Sequence, residues 1–438
     1  MRKLLNVILL MALFSIAQAQ QDTTSIILSL EKAQELAKTQ NLELKNSKLD
    51  ENKVNFQLKE AKSKLYPQIE AYSNFNYNYA IPKIILPGEI IGQTGMIPVE
   101  MGTKLDWSSG LKATQVIFNL SYFTSLKMSE KMTEISKLSY EKKEKELLNQ
   151  ISKIYFLAIS TKMQISKLQK SIEDADKLIK ITQSLNQQGF VRKIDVSKIN
   201  INKNNLLSQI DNLQLLHGQQ KNLLKFLVGI KSDKNIELSD TTIFLAAYSK
   251  NEPNFDNKED VLLLTKQLEV TELTKKSLKG LYVPSLALFW QHYYQSQRDK
   301  ADFFKDTKNN FFKAGLVGLS LNIPLFDGFE KNSKIKQKDI EYQQISNNKE
   351  LLLDNYSKQY RDALIQYETG IQTLKRAEEN VKIAKDAYEI DLVSYKQGIL
   401  SQSDILSSEN NLIEAEINKI NQLFLVKSAE LELQQIEQ

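Results

Sequence analysis

Gln68-Ile69-Glu70-Ala71-Tyr72-Ser73-Asn74-Phe75-Asn76-Tyr77-Asn78-Tyr79 is the stretch on which the fold turns. Ile69, Ala71, Ser73, Phe75, Tyr77 and Tyr79 fall on one side of an extended chain, and Gln68, Glu70, Asn74, Asn76 and Asn78 on the other, broken only by Tyr72. Side chains alternate with period two in a strand. Segments of about ten residues with one apolar face match strands that cross a membrane in a closed barrel. Three more segments share the character. Leu105, Trp107, Leu111, Ala113 and Ile117 oppose Lys104, Asp106, Ser108, Lys112 and Thr114; Phe289, Trp290, Tyr293 and Tyr294 mark an aromatic segment; Val317, Leu319, Leu321 and Ile323 alternate with Gly318, Ser320 and Asn322. Strands are therefore expected over residues 68–80, 104–118, 285–296 and 311–323. Both tryptophans lie in them, as an aromatic girdle at a membrane interface requires. A soluble sandwich also alternates, but four strands carry too little sheet for one beside long helices. Four strands also cannot close a lipid-facing barrel, since small barrels need about eight. If the strands meet lipid, several copies of the chain must pool them.

The plan is read twice. Helical sequence ends at Leu65-Tyr66-Pro67 and again at Leu281-Tyr282-Val283-Pro284, and each proline stands where a helix stops and a strand begins. Gln115-Val116-Ile117-Phe118-Asn119 corresponds to Ile323-Pro324-Leu325-Phe326-Asp327-Gly328. Farther on, Gly189 through Asp195 and Val196 corresponds to Gly398 through Asp404 and Ile405. The offsets agree: 326 − 118 = 208 and 398 − 189 = 209. The first repeat is placed at 20–230, an irregular belt at 231–256 and the second repeat at 257–438.

Residues 121–187 and 331–396 contain no proline and, apart from Gly370, no glycine. At ~1.5 Å per residue each helix would be roughly 100 Å long. Tyr356, Tyr360, Leu364, Tyr367, Ile371, Leu374, Ala377, Val381, Ala384, Tyr388, Leu392 and Tyr395 recur at threes and fours. Eleven steps span 395 − 356 = 39 residues, the period of about 3.5 that marks a coiled-coil seam. Leu168, Ile172, Ala175 and Leu178 repeat the pattern in the first half. The helices reverse at turns 188–192 and 397–400 and return from near Lys193 and Ser401, with Ser401 and Ser403 as candidate N-caps. Alternating charges along them read mostly as solvated faces.

The first residues read as an export signal. Arg2 and Lys3 precede an apolar run from Leu4 to Ile16, and Ala17-Gln18-Ala19 offers small residues at a cleavage site. The run is too short to span a bilayer comfortably, so a cleaved signal over 1–19 is favoured over a membrane anchor. No later run is apolar enough for a membrane helix. The chain has no cysteine, which excludes disulfides and thiolate chemistry and suits a periplasm. Loss of Arg2 and Lys3 takes the formal charge from +5 to +3, too little and too dispersed for a nucleic-acid partner. His217 and His292 are far apart and show no metal-ligand spacing, and no phosphate loop or nucleophile elbow occurs. No catalytic residue, cofactor or metal is therefore expected.

With the repeat, the strands and the turns in hand, the chain resembles the TolC-type outer-membrane efflux family. Leu28-Ser29-Leu30-Glu31-Lys32-Ala33 with Asn41-Leu42-Glu43-Leu44 is similar to that family's opening helix. Leu65-Tyr66-Pro67-Gln68-Ile69 and Leu319 through Gly328 resemble its strand boundaries, and Tyr395-Lys396-Gln397-Gly398 through Leu406 its second periplasmic turn. The resemblance implies a mainly α fold with a transmembrane β part: long antiparallel coiled-coil helices forming a periplasmic α-barrel, and four strands per chain contributed to a shared β-barrel. It implies a homotrimer in the cell outer membrane, in contact with its lipid, that meets a periplasmic adaptor (a membrane fusion protein) and an inner-membrane transporter. Such a subunit is an exit channel for efflux or secretion and performs no catalysis; the alternative is an exported periplasmic coiled-coil structural or adaptor protein.

By position, Asp404 matches a gate aspartate of the family, and Asp195 with Tyr395 a pair that holds the closed state. Ser407 and Leu400 stand where a second ring aspartate and a linking arginine would be. Asp404 also reads as a helix N-terminal acid and Asp195 as a cap. The turns at Gly189 and Gly398 are the expected adaptor-docking tips, and Pro67 and Pro284 the strand entries. The segment 80–102 is unusually apolar for a loop and is expected to extend the barrel wall, meet a partner or fold over the outer mouth, of which a partial lid is favoured. If the signal is cleaved, intact mass of the purified protein will place its first residue at Gln20; retention of residues 1–19 refutes the cleavage.

Overall fold

The structure is a computed structural model and describes residues 25–92, 94–246, 248, 253–305 and 311–437; the export segment lies outside them, as does part of the belt 231–256. In chain order the elements are β1 (Ile26–Leu28), α1 (Leu30–Gln40), α2 (Leu42–Ser63), β2 (Gln68–Tyr77), β3 (Lys83–Pro87), β4 (Met96–Glu100), β5 (Leu105–Phe118), α3 (Leu120–Gln187), α4 (Lys193–Val228), β6 (Ile236–Leu238), α5 (Glu259–Gly280), β7 (Ser285–Arg298), β8 (Phe312–Asn322), α6 (Glu330–Lys396) and α7 (Gln402–Glu437). The long helices of the two repeats, α3 and α6, have 68 and 67 residues, and the return helices α4 and α7 have 36 each. The described residues form two compact units, one drawn from 51–136 and 264–347 and one from 25–50, 137–263 and 348–437.

The first of these units holds a four-stranded antiparallel sheet in the order β2-β5-β7-β8. Pro67 and Pro284 stand immediately before β2 and β7. The register separates two faces. One carries Ile69, Phe75 and Tyr77 of β2, Trp107 and Leu111 of β5, Trp290 and Tyr294 of β7, and Val317, Leu319 and Leu321 of β8. These side chains stay exposed in the single chain, except Trp107, which is half-buried. The other face carries Glu70, Asn74 and Asn76 beside Asp106, Ser108, Lys112, Gln291 and Gln295. Here Lys112 Nζ pairs with Glu70 at 2.9 Å and Gln291 donates to the Tyr72 hydroxyl. The alternation places Ile117 on the apolar face. The ladder instead shifts between Val116 and Phe118, so Phe118 stands opposite Leu286; a bulge inserts one residue and reverses the faces beyond it. Trp107 donates from Nε1 to Ser73 Oγ at 3.0 Å, and Phe303 packs edge-on against Phe75 and Trp107.

Segment 80–102 does not join this sheet. β3 and β4 form a separate hairpin, Ile84 opposite Val99 and Lys83 ion-paired to Glu100 at 3.3 Å, with Ile85, Ile90 and Met96 exposed.

In the helical unit, β1 and β6 make a short parallel pair, Ile26 beside Ile236. Strands this short have no legible period in the sequence. They seat a core of Leu28, Ala33, Ala37, Ile151, Tyr155, Ile159, Leu224 and Val228. The Tyr155 hydroxyl donates to Asp240 Oδ2 at 2.8 Å. α1 starts at the N-cap Ser29, whose Oγ accepts from Lys32 N at 3.2 Å. α4 ends at Gly229, whose positive φ of 83° and close approach to the Gln40 backbone exclude any side chain. The α6 seam read from the sequence is buried or half-buried throughout Tyr356–Tyr395, except at Ile371.

A Cβ on Gly110 would lie 2.4 Å from Tyr293 Cβ, whereas one on Gly218, inside α4, would meet nothing within 4 Å. Gly110→Val should therefore destabilise by about 1–3 kcal/mol through overpacking, and Gly218→Ala should stabilise by about 0.5–1 kcal/mol. Denaturant midpoints of the two variants check both signs.

Candidate gate at the helix turns

The two turns are built by the same device. After α3, Gly189 takes φ +83°, its N–H donates to Asn186 O at 3.0 Å, and Phe190 N–H donates to Leu185 O at 2.9 Å. After α6, Gly398 takes φ +75°, its N–H donates to Tyr395 O at 3.0 Å, and Ile399 N–H donates to Ser394 O at 3.0 Å. A left-handed residue just past a helix lets the following amides fold back on its last carbonyls. Gly189 has open space around the missing Cβ, so its backbone angle alone demands glycine there. The turns are neighbours: a Cβ on Gly398 would lie 3.8 Å from Phe190 Cδ1.

Both returning helices open on an aspartate that closes the first turn. Asp195 Oδ2 accepts from the Arg192 backbone N–H at 3.0 Å and from Arg192 Nε at 3.4 Å. Burial pushes the Asp195 carboxyl up, but the Arg192 amide and guanidinium, with Lys198, hold it below the usual carboxylate range. Asp404 is exposed; Ser401 Oγ donates to its Oδ2 at 2.6 Å, and its own N–H donates to Ser401 Oγ at 3.3 Å. Ser401 is thus the N-cap, its hydroxyl accepting from the Asp404 amide and donating to the Asp404 carboxylate, while Ser403 makes no such bond among the described contacts.

Tyr395 is wholly buried in a cluster with Leu178, Leu185, Ile199, Tyr388 and Ile405. Its hydroxyl lies 2.7 Å from Thr182 Oγ1, which itself donates to Leu178 O at 2.9 Å. With the threonine proton committed to the backbone, the Tyr395 hydroxyl is the donor. Burial raises its pKa; the Thr182 bond opposes this and the Asp195 charge adds to it. Asp195 and Tyr395 therefore feel each other electrostatically but share no hydrogen bond; each is held by a different partner. Ser407 is exposed and Leu400 packs against the Tyr395 cluster. Thr182 escaped the sequence reading because a lone threonine in a charged helix carries no pattern. Arg192 escaped it because arginine offers no cap acceptor.

The histidines stand apart. His217 is half-buried in α4, its pKa lowered by burial and then by Lys221. His292 stacks on Trp290 on the apolar face of the sheet. Among the described residues no group of three or more His, Asp or Glu is placed to hold a metal ion.

Residues 266–436 match the family described as outer membrane efflux protein. The fold is that of solved outer-membrane channels. CusC, described through its transmembrane channel formation, has TM-score 0.76 at 14% identity over 94% of this chain and 93% of that one. The Campylobacter jejuni outer membrane channel CmeC has TM-score 0.75 at 18% identity over 95% and 89%. The Vibrio cholerae outer membrane protein VceC has TM-score 0.74 at 14% identity over 93% and 96%. No curated protein matches the chain by sequence.

Removing the Thr182 hydroxyl strands the buried Tyr395 donor, and removing the Tyr395 hydroxyl takes from Thr182 Oγ1 the bond it accepts. Tyr395→Phe should cost about 1–3 kcal/mol, whereas the double variant with Thr182→Val should cost less than the sum of the singles. A double-mutant cycle read from hydrogen exchange in the 178–200 segment checks the coupling.

Proposed function

We propose that the chain, similar to TolC-type outer-membrane channels, is one subunit of an oligomeric exit channel in the outer membrane. It passes substrates from a periplasmic adaptor and an inner-membrane pump to the exterior, and does no chemistry of its own. The observation that carries this reading is the sheet: four strands of 10 to 14 residues, one apolar face exposed, a second face that is polar across β2 and β5, and two outer strands without a second neighbour. A strand of about 9–11 residues suffices to cross a bilayer. Lipid cannot satisfy an open strand edge, so such a sheet must close with copies of itself. The resemblance to homotrimers makes three copies, and twelve strands, the favoured closure. The apolar face then meets lipid and the row containing Glu70, Asp106, Lys112 and Gln291 lines water.

The helical unit would stand in the periplasm. Phe190 and Ile399, 68% and 75% exposed, project from the two glycine turns and suit docking of an adaptor. Asp404, the exposed one of the two aspartates, is the candidate gate carboxylate. One copy per subunit near the axis would favour cations. With Ser407 and Leu400 at the neighbouring gate positions, the ring is single. Asp195 and Tyr395 hold the turn from within, each through its own partner. A periplasmic spacer would account for the helices; the exposed apolar sheet face counts against it.

Planar-bilayer recordings test the reading. The purified protein should form long-lived pores, and Asp404→Ala should move the reversal potential in a salt gradient toward zero. An unchanged reversal potential removes Asp404 from the conduction path, and absence of pores refutes the channel. Val317→Arg, on the apolar face, should disfavour membrane insertion by up to about 2–4 kcal/mol, whereas Lys112→Gln on the polar face should leave insertion intact; the membrane-bound fraction measures the contrast.

A further inference from the structure

The buried residues Gln402, Ile405, Glu409 and Ile413 follow one another along α7 at spacings of three and four. Glu409 thus takes a core position between two apolar clusters. Ile405 belongs with Leu178, Ile199 and Tyr395, and Ile413 with Leu168, Leu206 and Ile210. The Glu409 residue is 3% exposed. Its Oε2 accepts only a long bond from Asn202 Nδ2, at 3.4 Å, and its Oε1 has no partner.

Among the described contacts no lysine of the surrounding helices is ion-paired to the carboxyl. On α3, Asp174 faces it, itself paired with Lys177 at 2.7 Å, and Lys170 borders the same cavity. On α4, Asn202 is neutral and Lys203 is committed to Asp176 at 2.5 Å. On α6, Tyr388 is buried beside it, while Lys385, Glu389 and Lys396 edge the cavity. On α7 itself, Glu416 pairs with Lys167 at 2.7 Å, and Ser408 donates to Asp391 of α6. The cavity, of ≈ 320 Å³, is bordered by Glu409, Asp174, Tyr388 and Leu392.

We infer that Glu409 is a proton-binding site inside the four-helix packing, and that its protonation sets how firmly α3, α4, α6 and α7 hold together beside the two turns. A neutral carboxyl fits an apolar seam. An ionised one there would be a buried anion without an ion-pair partner and with a second carboxylate nearby. Burial first, and Asp174 second, accordingly push the Glu409 pKa from 4.5 up to about 7. Tyr388 is raised by burial and by the same two carboxylates, so it remains a neutral phenol. Because the packed-state pKa is raised, the contribution to packing is full below pH 4.5 and is lost as the pH rises through about 7. The interval of 7 − 4.5 caps the gain in the opening equilibrium at about 300-fold. The switch in packing stands independently of the channel reading; only a consequence for conduction rests on it.

Hydrogen–deuterium exchange of the full protein in detergent, corrected for the intrinsic pH dependence of amide exchange, tests it. Between pH 5 and pH 8, amides in 199–210 and 405–413 should lose about ten-fold or more protection. Glu409→Gln should keep the pH 5 protection at both values. Asp174→Asn should move the midpoint of the wild-type loss to lower pH. A flat wild-type profile, or the same loss in Glu409→Gln, overturns the proposal. Should Glu409→Gln fail to fold, shown by lost protection throughout at pH 5, the Asp174→Asn midpoint decides, and an unmoved midpoint overturns it.

Discussion

The backbone N–H and C=O groups on the outer edges of β2 and β8 find no partner strand within the sheet of a single chain. In water such groups are hydrated at little cost. In hydrocarbon each one left unpaired costs several kcal/mol. The face that carries Val317, Leu319 and Leu321 makes water the wrong solvent for one side of the sheet, and the row of Glu70, Asn74 and Asp106 makes lipid the wrong solvent for the other. A curved wall closed by further copies, with lipid outside and water within, satisfies both faces and the edges together. The polar face is tied across strands by the Glu70–Lys112 pair, and Gly110 admits Tyr293 opposite it.

The helical unit shows how a duplicated plan diverges. Both turns keep a glycine at positive φ and an aspartate that closes the next helix, because those features serve the backbone whatever the side chains around them do. Their surroundings have separated. Asp195 is drawn inward and gripped by Arg192, a structural carboxylate, while Asp404 is held only by Ser401 and stays in solvent. The buried Tyr395–Thr182 bond ties the end of α6 to α3. The Glu409 carboxyl, in the seam five residues beyond Asp404, is a place where this packing is not self-satisfied.

Much of this was legible in the residues, and the failures have physical causes. Period-two alternation marks four strands because a pleated chain puts every second side chain on one face; it fails at Ile117, where a bulge that no residue type announces reverses the order. The coiled-coil seam of α6 is legible because tyrosines and leucines recur with little interruption. The β1–β6 pair is three residues long and has no period to detect. Segment 80–102 shows its hydrophobicity in the sequence, but not that its strands pair only with each other. At the turns, glycine and aspartate spacing locates the site. The partners Thr182 and Arg192 depend on which faces meet. Glu409 passes as one more surface charge on a charged helix; the signal was its place in the row Gln402, Ile405, Ile413.

Shared closure of the sheet is the central claim, and the subunit count of the purified protein tests it most directly. Chemical crosslinking followed by sizing in detergent should give one closed oligomer with a mass that is a small whole multiple of the chain, three being the favoured number, that falls apart or precipitates when detergent is withdrawn. A monodisperse monomer that stays folded in plain buffer would contradict the account.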